Sequence, residues 1–130
     1  MSSQKRHVVI VDDEPAMRGL LRDFFTSLGY QADCFSNANS ALTYLRASAI
    51  PVSAIVSDIR MSPVDGIDFL KTLKHEFPAI PVILFTGAGG PDERDVAIQS
   101  GAAQYLQKPF SLTELRTVVD QFQSRAKRAK

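Results

Sequence analysis

Short runs of apolar residues alternate with helix-like patterns five times along this sequence of 130 residues. The run at 8–11 is continuous and rich in β-branched residues, which is typical of a strand covered on both faces. From Met17 to Leu28, apolar residues then recur at helical spacing. The two signals repeat, with strands predicted at 8–11, 31–35, 52–56, 82–85 and 103–106 and helices at 15–28, 38–48, 66–77, 91–99 and 112–122. This order predicts an α/β fold with a parallel sheet between two helix layers.

Two of the predicted strands carry polar residues beside their apolar ones. The second contains Asp33, and the fifth has Gln104 and Gln107, whereas the other three are almost entirely apolar. Polar residues of this kind are typical of strands at the edge of a sheet. The order 2-1-3-4-5 places both at the edges with right-handed crossovers, so we predict a flavodoxin-like (βα)5 sandwich of three layers.

Charge is distributed unevenly along the chain. The last ten residues hold four basic residues and no acid, so the first 120 residues, with 11 basic and 14 acidic residues, carry a net charge of −3. This balance argues against nucleic-acid binding by the body of the protein. We predict one domain over 1–124 and a basic tail at 125–130, which is a solvated helix end or the start of a linker. A contact of the tail with nucleic acid is the sharper alternative.

The sequence favours a cytoplasmic protein with no membrane contact. The single cysteine, Cys34, cannot form an internal disulfide, and the histidines His7 and His75 lack metal-ligand spacing. The longest apolar run, 79–85, is far too short to span a bilayer, and the first residues do not resemble a signal peptide.

Ionisable or hydroxyl groups stand where four of the strands are predicted to end, which is the edge where open α/β sheets bind ligands. They are Asp12 and Asp13 after the first strand, Asp58 after the third, Thr86 at the end of the fourth and Lys108 after the fifth. The three carboxylates should converge, and two of them ~4 Å apart repel by roughly 4 kcal/mol at an effective dielectric of about 20. Mg²⁺ accepts carboxylate oxygens and would relieve that repulsion. With a cation and a hydroxyl nearby, the set predicts a phosphoryl-binding site.

The phosphoryl group is expected to be attached to the protein itself. The sequence has no phosphate-binding loop of the Walker type, and the glycines at 87–90 fail the dinucleotide pattern because its third glycine would fall on Asp92. The acidic sequence after the first strand excludes a flavodoxin-type phosphate loop. A carboxylate can act as a covalent acceptor, and Asp58 is the best placed.

Five separated motifs resemble those of bacterial response-regulator receiver domains. They are Ile-Val-Asp-Asp-Glu-Pro at 10–15, Asp-Ile-Arg-Met at 58–61, Asp-Gly at 65–66, Phe-Thr-Gly at 85–87 and Tyr-Leu-Gln-Lys-Pro-Phe at 105–110. The resemblance implies a two-component signalling protein in which Asp58 accepts phosphate from a histidine kinase or a phosphotransfer protein. It also implies a phosphoacceptor rather than an enzyme, with at most self-phosphorylation and autodephosphorylation.

The resemblance implies a role for each site residue. Asp13 would bind Mg²⁺ directly and Asp12 would help to hold it, often through water. Asp58 and the backbone carbonyl of Arg60 would complete the metal site. Lys108 would contact the phosphoryl group, and its bond to the following proline would be cis.

The expected output is a two-state switch. Thr86 would contact the phosphoryl group and move toward it, and Tyr105 would turn into the vacated space. The face formed by helix 4, strand 5 and helix 5 would then change and contact an output domain or a target protein. A homodimer that forms on phosphorylation is a further expectation. The polar residues Asp92, Glu93 and Arg94 are interpreted as a solvated first turn of helix 4.

The loop after the phosphoacceptor departs from the family pattern. A proline usually follows the methionine directly, but here Met61 is followed by Ser62 and Pro63, so the loop is expected to take a different path. Arg60 and Ala88 occupy positions that influence acyl-phosphate hydrolysis in the family.

Two alternatives stay open. A phosphatase of the haloacid-dehalogenase type also uses an aspartyl nucleophile after a strand, but it needs a second Asp where this chain has Arg60. A protein-interaction module that kept the fold without being phosphorylated would not need the acidic and basic site residues, all of which are present.

Overall fold

The computed structural model describes residues 6–48, 51–61, 64–87 and 89–128. Its strands are β1 (His7–Val11), β2 (Gln31–Phe35), β3 (Ala54–Asp58), β4 (Val82–Thr86) and β5 (Gln104–Gln107). Its helices are α1 (Pro15–Ser27), α2 (Ala38–Ala47), α3 (Gly66–Glu76), α4 (Pro91–Gln99) and α5 (Leu112–Arg128). Strand and helix alternate throughout, as predicted.

The five strands form one parallel sheet in the order β2-β1-β3-β4-β5, which confirms the predicted topology. Every residue of the three central strands is buried, whereas every residue of β2 is only half-buried. The charged residue of that edge strand, Asp33, accepts a hydrogen bond from Tyr44 at 3.0 Å and lies 2.6 Å from Nε2 of buried His7. The edge position therefore accommodates a carboxylate in the middle of a strand, where a central strand is covered by apolar layers on both faces.

Side chains alternate between the two faces of the sheet, and each face has its own helix layer. The face against α1 and α5 has a core that includes Val8, Ile10, Leu21, Phe25 and Leu115. The face against α2, α3 and α4 has a core that includes Val9, Ile55, Phe69, Leu73 and Ala97. Because both faces of a central strand are covered, most of its residues are apolar at consecutive positions, which explains the continuous runs in the sequence.

The third strand begins and ends two residues later than predicted. Its register is determined by parallel pairing, in which Ala54 lies opposite Val8 and the N–H of Ser53 donates to the carbonyl of His7 at 2.7 Å. Main-chain geometry, and not the apolar character of residue 52, therefore determines where the strand starts. As a consequence, Asp58 is the last residue of the strand itself. β5 is likewise shifted by one residue.

Capping side chains begin two of the helices where the sequence predicted them. Asp65 accepts hydrogen bonds from two N–H groups in the first turn of α3, both at 3.0 Å, and Ser111 accepts one from the N–H of Glu114 at 2.9 Å. The first four helices agree with their predicted bounds within one residue. α5 continues to Arg128, so 125–128 of the predicted tail is helical, while 129 and 130 lie outside the described residues.

Gly66 lets the start of α3 approach the end of β3 closely. A Cβ atom at this position would lie 2.5 Å from the Cα of Ile59 and 2.6 Å from the carbonyl oxygen of Asp58. The N–H of Gly66 donates to the carbonyl of Ile59 at 2.8 Å across the same contact. Because both obstructing atoms belong to the backbone, a side chain here would displace the loop that carries Asp58.

We expect Gly66→Ala to lower the free energy of unfolding by about 1–3 kcal/mol, because overpacking against backbone cannot be relieved by a rotamer change. Gly19→Ala is the matched control: it lies inside α1 with nothing within 4 Å of the added Cβ, and should raise stability by up to about 1 kcal/mol. Urea denaturation of the two variants measures both effects. Equal stabilities would contradict the close approach.

Candidate functional site

The residues predicted to form a site meet at the carboxyl edge of the sheet. Asp12 and Asp13 directly follow β1, Asp58 ends β3, Thr86 ends β4 and Lys108 directly follows β5. The strand order changes direction between β1, which leads outward to β2, and β3, which leads toward β5. Ligands of open α/β sheets bind at such a point, so the topology places these side chains where a pocket is expected.

Three carboxylates lie close together at this point. One oxygen each from Asp12, Asp13 and Asp58 can be chosen so that all three lie within 4.8 Å of one another. Asp12 is completely buried, Asp58 is 7% exposed and Asp13 is exposed. The group therefore has a closed inner side and an open outer side, from which a cation or a reactant can enter.

Burial disfavours the ionised form of the carboxylates in this group. The pKa of the Asp12 carboxyl is raised from 3.8 to about 6, chiefly by burial and further by the charges of Asp58 and Asp13, while the N–H of Glu14 and the charge of Lys108 lower it. Protonation would relieve the repulsion at low pH, and a bound cation would relieve it at neutral pH.

The pKa of Asp58 is raised as well, again chiefly by burial. The N–H of Arg60, which donates to Oδ1 of Asp58 at 3.0 Å, and the charge on Lys108 both lower it. The Asp58 carboxylate thus has one oxygen held by a backbone hydrogen bond.

An unsatisfied oxygen shows that the carboxylates fit a metal ion. Oδ1 of Asp12 accepts the N–H of Glu14 at 2.9 Å, but Oδ2, although buried, has no hydrogen-bond partner among the described residues. A buried carboxylate oxygen without a partner is costly unless it binds a proton, a cation or water. Hard oxygen donors at this spacing suit Mg²⁺, which commonly uses one or two carboxylates and keeps water ligands.

The cationic side of the site comes from the neighbouring strands. Lys108 donates its N–H to the carbonyl of Thr86 at 2.8 Å, and its Nζ lies 5.1 Å from the ring centroid of Phe85. The peptide bond between Lys108 and Pro109 is cis, as the resemblance implied. Thr86 is completely buried. An ammonium group and a hydroxyl group thus belong to the same end of the sheet as the carboxylates.

The side chain of Arg60 extends toward α4. Its Nη2 lies 2.7 Å from Oε2 of Glu93. The metal-binding role of its backbone carbonyl stays a prediction. Ser62, Pro63 and Ala88, whose positions departed from the family pattern or were linked to hydrolysis, lie outside the described residues.

The structure corrects the interpretation of Glu93 as part of a solvated helix start. Only 15% of its side chain is exposed, and it contacts both Arg60 and the hydroxyl of Tyr105, which donates to Oε1 at 3.2 Å. The signal that could have found this residue is topological: the start of α4 and the loop after β3 share one edge of the sheet, and opposite charges stand on each. Tyr105 is only 3% exposed, so its ring already lies inside.

Comparisons with known proteins identify the family. The sequence profile of the response regulator receiver domain matches residues 8–120. The chain belongs to the response regulator receiver domain family. The fold agrees: a receiver domain structure from Clostridium thermocellum superposes with a TM-score of 0.88, at 23% identity, over 96% of this chain and 99% of that one.

Two further proteins are similar to this receiver domain over most of its length. It is 36% identical over 117 residues to the DNA-binding transcriptional regulator NtrC of Proteus hauseri. The aligned residues make up 90% of this chain but only 24% of the length of the relative. A beryllofluoride-activated dimer of the NtrC4 receiver domain has a TM-score of 0.82 at 30% identity, over 89% of this chain and 94% of that one. The chain therefore corresponds to the receiver part of a two-component response regulator.

Two observations concern a membrane-spanning helix and a dehalogenase-type site. Over these ranges, no helix has both the length and the apolar character needed to cross a bilayer. The position where the phosphatase alternative requires a second aspartate carries Arg60, whose guanidinium is paired with Glu93.

In the metal-free receiver domain, we expect stability to fall as pH rises from about 4 to about 7. The pKa of Asp12 in the folded state, about 6, lies above its ordinary value of 3.8, so the folded protein binds the proton more tightly and loses that advantage as pH rises. The loss can reach about 3 kcal/mol, since one pKa unit corresponds to about 1.4 kcal/mol. Urea denaturation across this pH range measures it, and a rise in stability over the same interval would contradict the assignment.

We expect Asp12→Asn to raise the melting temperature at neutral pH without metal and to remove most of the gain that wild type shows with Mg²⁺. The amide removes a buried charge, and with it a ligand. Asp23→Asn is the matched control, because its side chain is 76% exposed. Thermal unfolding with MgCl₂ or EDTA makes the comparison, and a full Mg²⁺ response in Asp12→Asn would count against the metal site.

Proposed function

We propose that this receiver domain accepts a phosphoryl group on Asp58 from a histidine kinase or a phosphotransfer protein. The observation that carries the proposal is the group of three carboxylates at the carboxyl edge, with a buried oxygen of Asp12 left unsatisfied. Asp58 stands in this group at the end of a central strand, where burial raises its pKa and the charge of Lys108 offsets part of that rise. The family match and the relation to NtrC support the same role.

The transfer exchanges one bond to phosphorus for another. A carboxylate oxygen of Asp58 attacks phosphorus, and the phosphorus–nitrogen bond to the donor's histidine breaks. The electron pair of that bond stays on the imidazole nitrogen, which takes up a proton. The product is an acyl phosphate on Asp58, a mixed anhydride that keeps the phosphoryl group transferable.

Hydrolysis of the acyl phosphate resets the domain. A water oxygen attacks phosphorus, the bond between phosphorus and Asp58 breaks, and the carboxylate and inorganic phosphate are released. We propose that these self-phosphorylation and autodephosphorylation reactions are the only chemistry of the chain, so that it is a phosphoacceptor and not an enzyme with a separate substrate.

Different residues of the site would balance the negative charge of the carboxylates and of the phosphoryl group. Asp12, Asp13 and Asp58, with the carbonyl of Arg60, would hold Mg²⁺, which neutralises the carboxylates and polarises the phosphoryl oxygens when bound. Lys108 places positive charge on the other side of the phosphoryl group, an arrangement that stabilises charge developing during transfer.

Thr86 would donate its hydroxyl to a phosphoryl oxygen, and this contact would start the switch. The phosphoryl group carries nearly two negative charges in place of the single charge of the Asp58 carboxylate, and these charges would draw the buried hydroxyl of the neighbouring strand toward them. The conformations of Thr86 and Tyr105 would then depend on the state of the site, although the Tyr105 ring is already inside in the conformation described here.

The output is proposed to pass through α4, β5 and α5. Val96 and Ile98 of α4 are 45% and 43% exposed, and they are large apolar side chains that a partner could cover. We propose that an output domain or target protein contacts this face and that a homodimer forms on phosphorylation, in line with the activated NtrC4 receiver dimer. The cytoplasm, where such kinases act, is the proposed location.

Intact-mass measurement after incubation with acetyl phosphate and Mg²⁺ tests the proposal. Wild type should gain one phosphoryl group, the gain should disappear with EDTA, and Asp58→Asn should gain none. Asp68→Asn is the matched control, because it removes an exposed carboxylate from the first turn of α3 and should be labelled like wild type.

Other results would point elsewhere. An unlabelled wild type that also resists a range of histidine kinases would favour the interaction module that is independent of phosphorylation. Steady turnover of unrelated phosphate esters would favour the phosphatase. Labelling of Asp58→Asn at wild-type level would move the acceptor to another residue.

A further inference from the structure

A continuous set of polar contacts connects the phosphoacceptor with the aromatic residue of β5. Oδ1 of Asp58 accepts the N–H of Arg60 at 3.0 Å, and Nη2 of Arg60 lies 2.7 Å from Oε2 of Glu93. Oε1 of Glu93 accepts the hydroxyl of Tyr105 at 3.2 Å. These four residues belong to β3, the loop after it, α4 and β5, so the contacts join three separate segments.

Glu93 is the middle of this set, and its surroundings make it depend on its partners. Its side chain is 15% exposed and each of its two oxygens has a partner, one charged and one neutral. The Arg60 side chain is 56% exposed, so the ion pair by itself adds little stability. The effect of the ion pair is instead geometric. Contact with the Arg60 guanidinium fixes one carboxylate oxygen of Glu93 and thereby orients the other oxygen toward Tyr105.

Tyr105 is held at the far end of the set. Burial raises the pKa of its hydroxyl and the charge of Glu93 raises it further, so the group stays a hydrogen-bond donor. Gly89 lies directly against this contact, because a Cβ there would overlap the Tyr105 hydroxyl and the Glu93 carboxylate. The carbonyl of Gly89 accepts a hydrogen bond from the Gln107 side chain at 3.0 Å. The loop before α4 is thus fitted to the Glu93–Tyr105 pair.

Arg60 has room to leave its partner. It borders an open groove of about 400 Å³ lined by Ile59, Arg60, Met61, Asp65, Ile67 and Glu93. The guanidinium can therefore exchange one anionic partner for another without displacing packed side chains.

We propose that Arg60 is a positioning residue that couples the state of Asp58 to Tyr105 through Glu93. The inference rests on the proposed function, since it takes Asp58 as the phosphoacceptor. A phosphoryl group carries nearly two negative charges and Glu93 carries one, so the phosphorylated site competes with Glu93 for the guanidinium. When Arg60 leaves, Glu93 is no longer held in one orientation, and the Tyr105 hydroxyl loses its fixed acceptor.

The test observes Tyr105 directly. The full chain is labelled with 3-fluorotyrosine, and Tyr105→Phe assigns its ¹⁹F resonance among the three tyrosines. Spectra are taken with Mg²⁺ alone and with acetyl phosphate plus Mg²⁺, and intact mass of the same samples gives the phosphorylated fraction. In wild type we expect the Tyr105 resonance to shift with that fraction.

Glu93→Gln should move the Tyr105 resonance before any phosphorylation and should lose more than half of the further shift, at an unchanged phosphorylated fraction. Asp92→Asn is the matched control: it removes one exposed negative charge from the same first turn and should respond like wild type. Arg60→Lys, which keeps the charge, should keep more of the shift per phosphorylated molecule than Arg60→Met, a difference that a merely structural role would not produce.

The outcomes separate the two proposals. A wild type that gains no phosphoryl mass overturns the proposed function, and the exchange of partners with it. A phosphorylated wild type with an unmoved Tyr105 resonance, or a Glu93→Gln variant with the full shift, overturns the coupling alone. Independently of phosphorylation, a double-mutant cycle of Arg60→Met and Tyr105→Phe in urea denaturation must give a coupling free energy different from zero, and additive effects would overturn the coupling.

Discussion

Parallel pairing of β1 with β3 is the interaction on which this molecule depends. It brings the loop that carries Asp12 and Asp13 beside the end of the strand that carries Asp58, although more than forty residues separate them in the chain. The ladder and the apolar layers on both faces hold the carboxylates together against their mutual repulsion. Burial and neighbouring negative charge make the ionised forms of Asp12 and Asp58 unfavourable, as their raised pKa values show. Packing elsewhere in the fold offsets this free-energy cost.

The same sheet supplies the groups that make this crowding useful. β4 and β5 end at the same edge as β3, so Thr86 and Lys108 need no long loop to reach the site. The ammonium group of Lys108 is steadied by the ring of Phe85, a residue of the core. A cation bound among the carboxylates would balance their negative charge. The cation and Lys108 would together balance the negative charge of a phosphoryl group placed between them.

The first turn of α4 lies between this site and the face that we propose as the surface for a partner. The sequence of this turn is polar and typical of an exposed helix start, so the sequence pattern predicted that Glu93 would be solvated. Its burial arises because α4 begins beside the loop after β3 and beside β5, with Arg60 on one side of Glu93 and Tyr105 on the other. Opposite charges that are distant in sequence have no local signature, and only their spatial meeting makes them a pair.

Local pattern by itself determined the five strand–helix pairs, the caps at Asp65 and Ser111, the edge strands and the identity of the residues that end each strand, because periodicity and capping depend on near neighbours. Only the tertiary structure decided the register of β3, which makes Asp58 its last residue, and the inward position of Tyr105. It also decided that His7, to which no role was assigned, is buried against Asp33. Each of these depends on which distant segments lie side by side, and that is a property of packing and main-chain pairing rather than of any stretch of sequence.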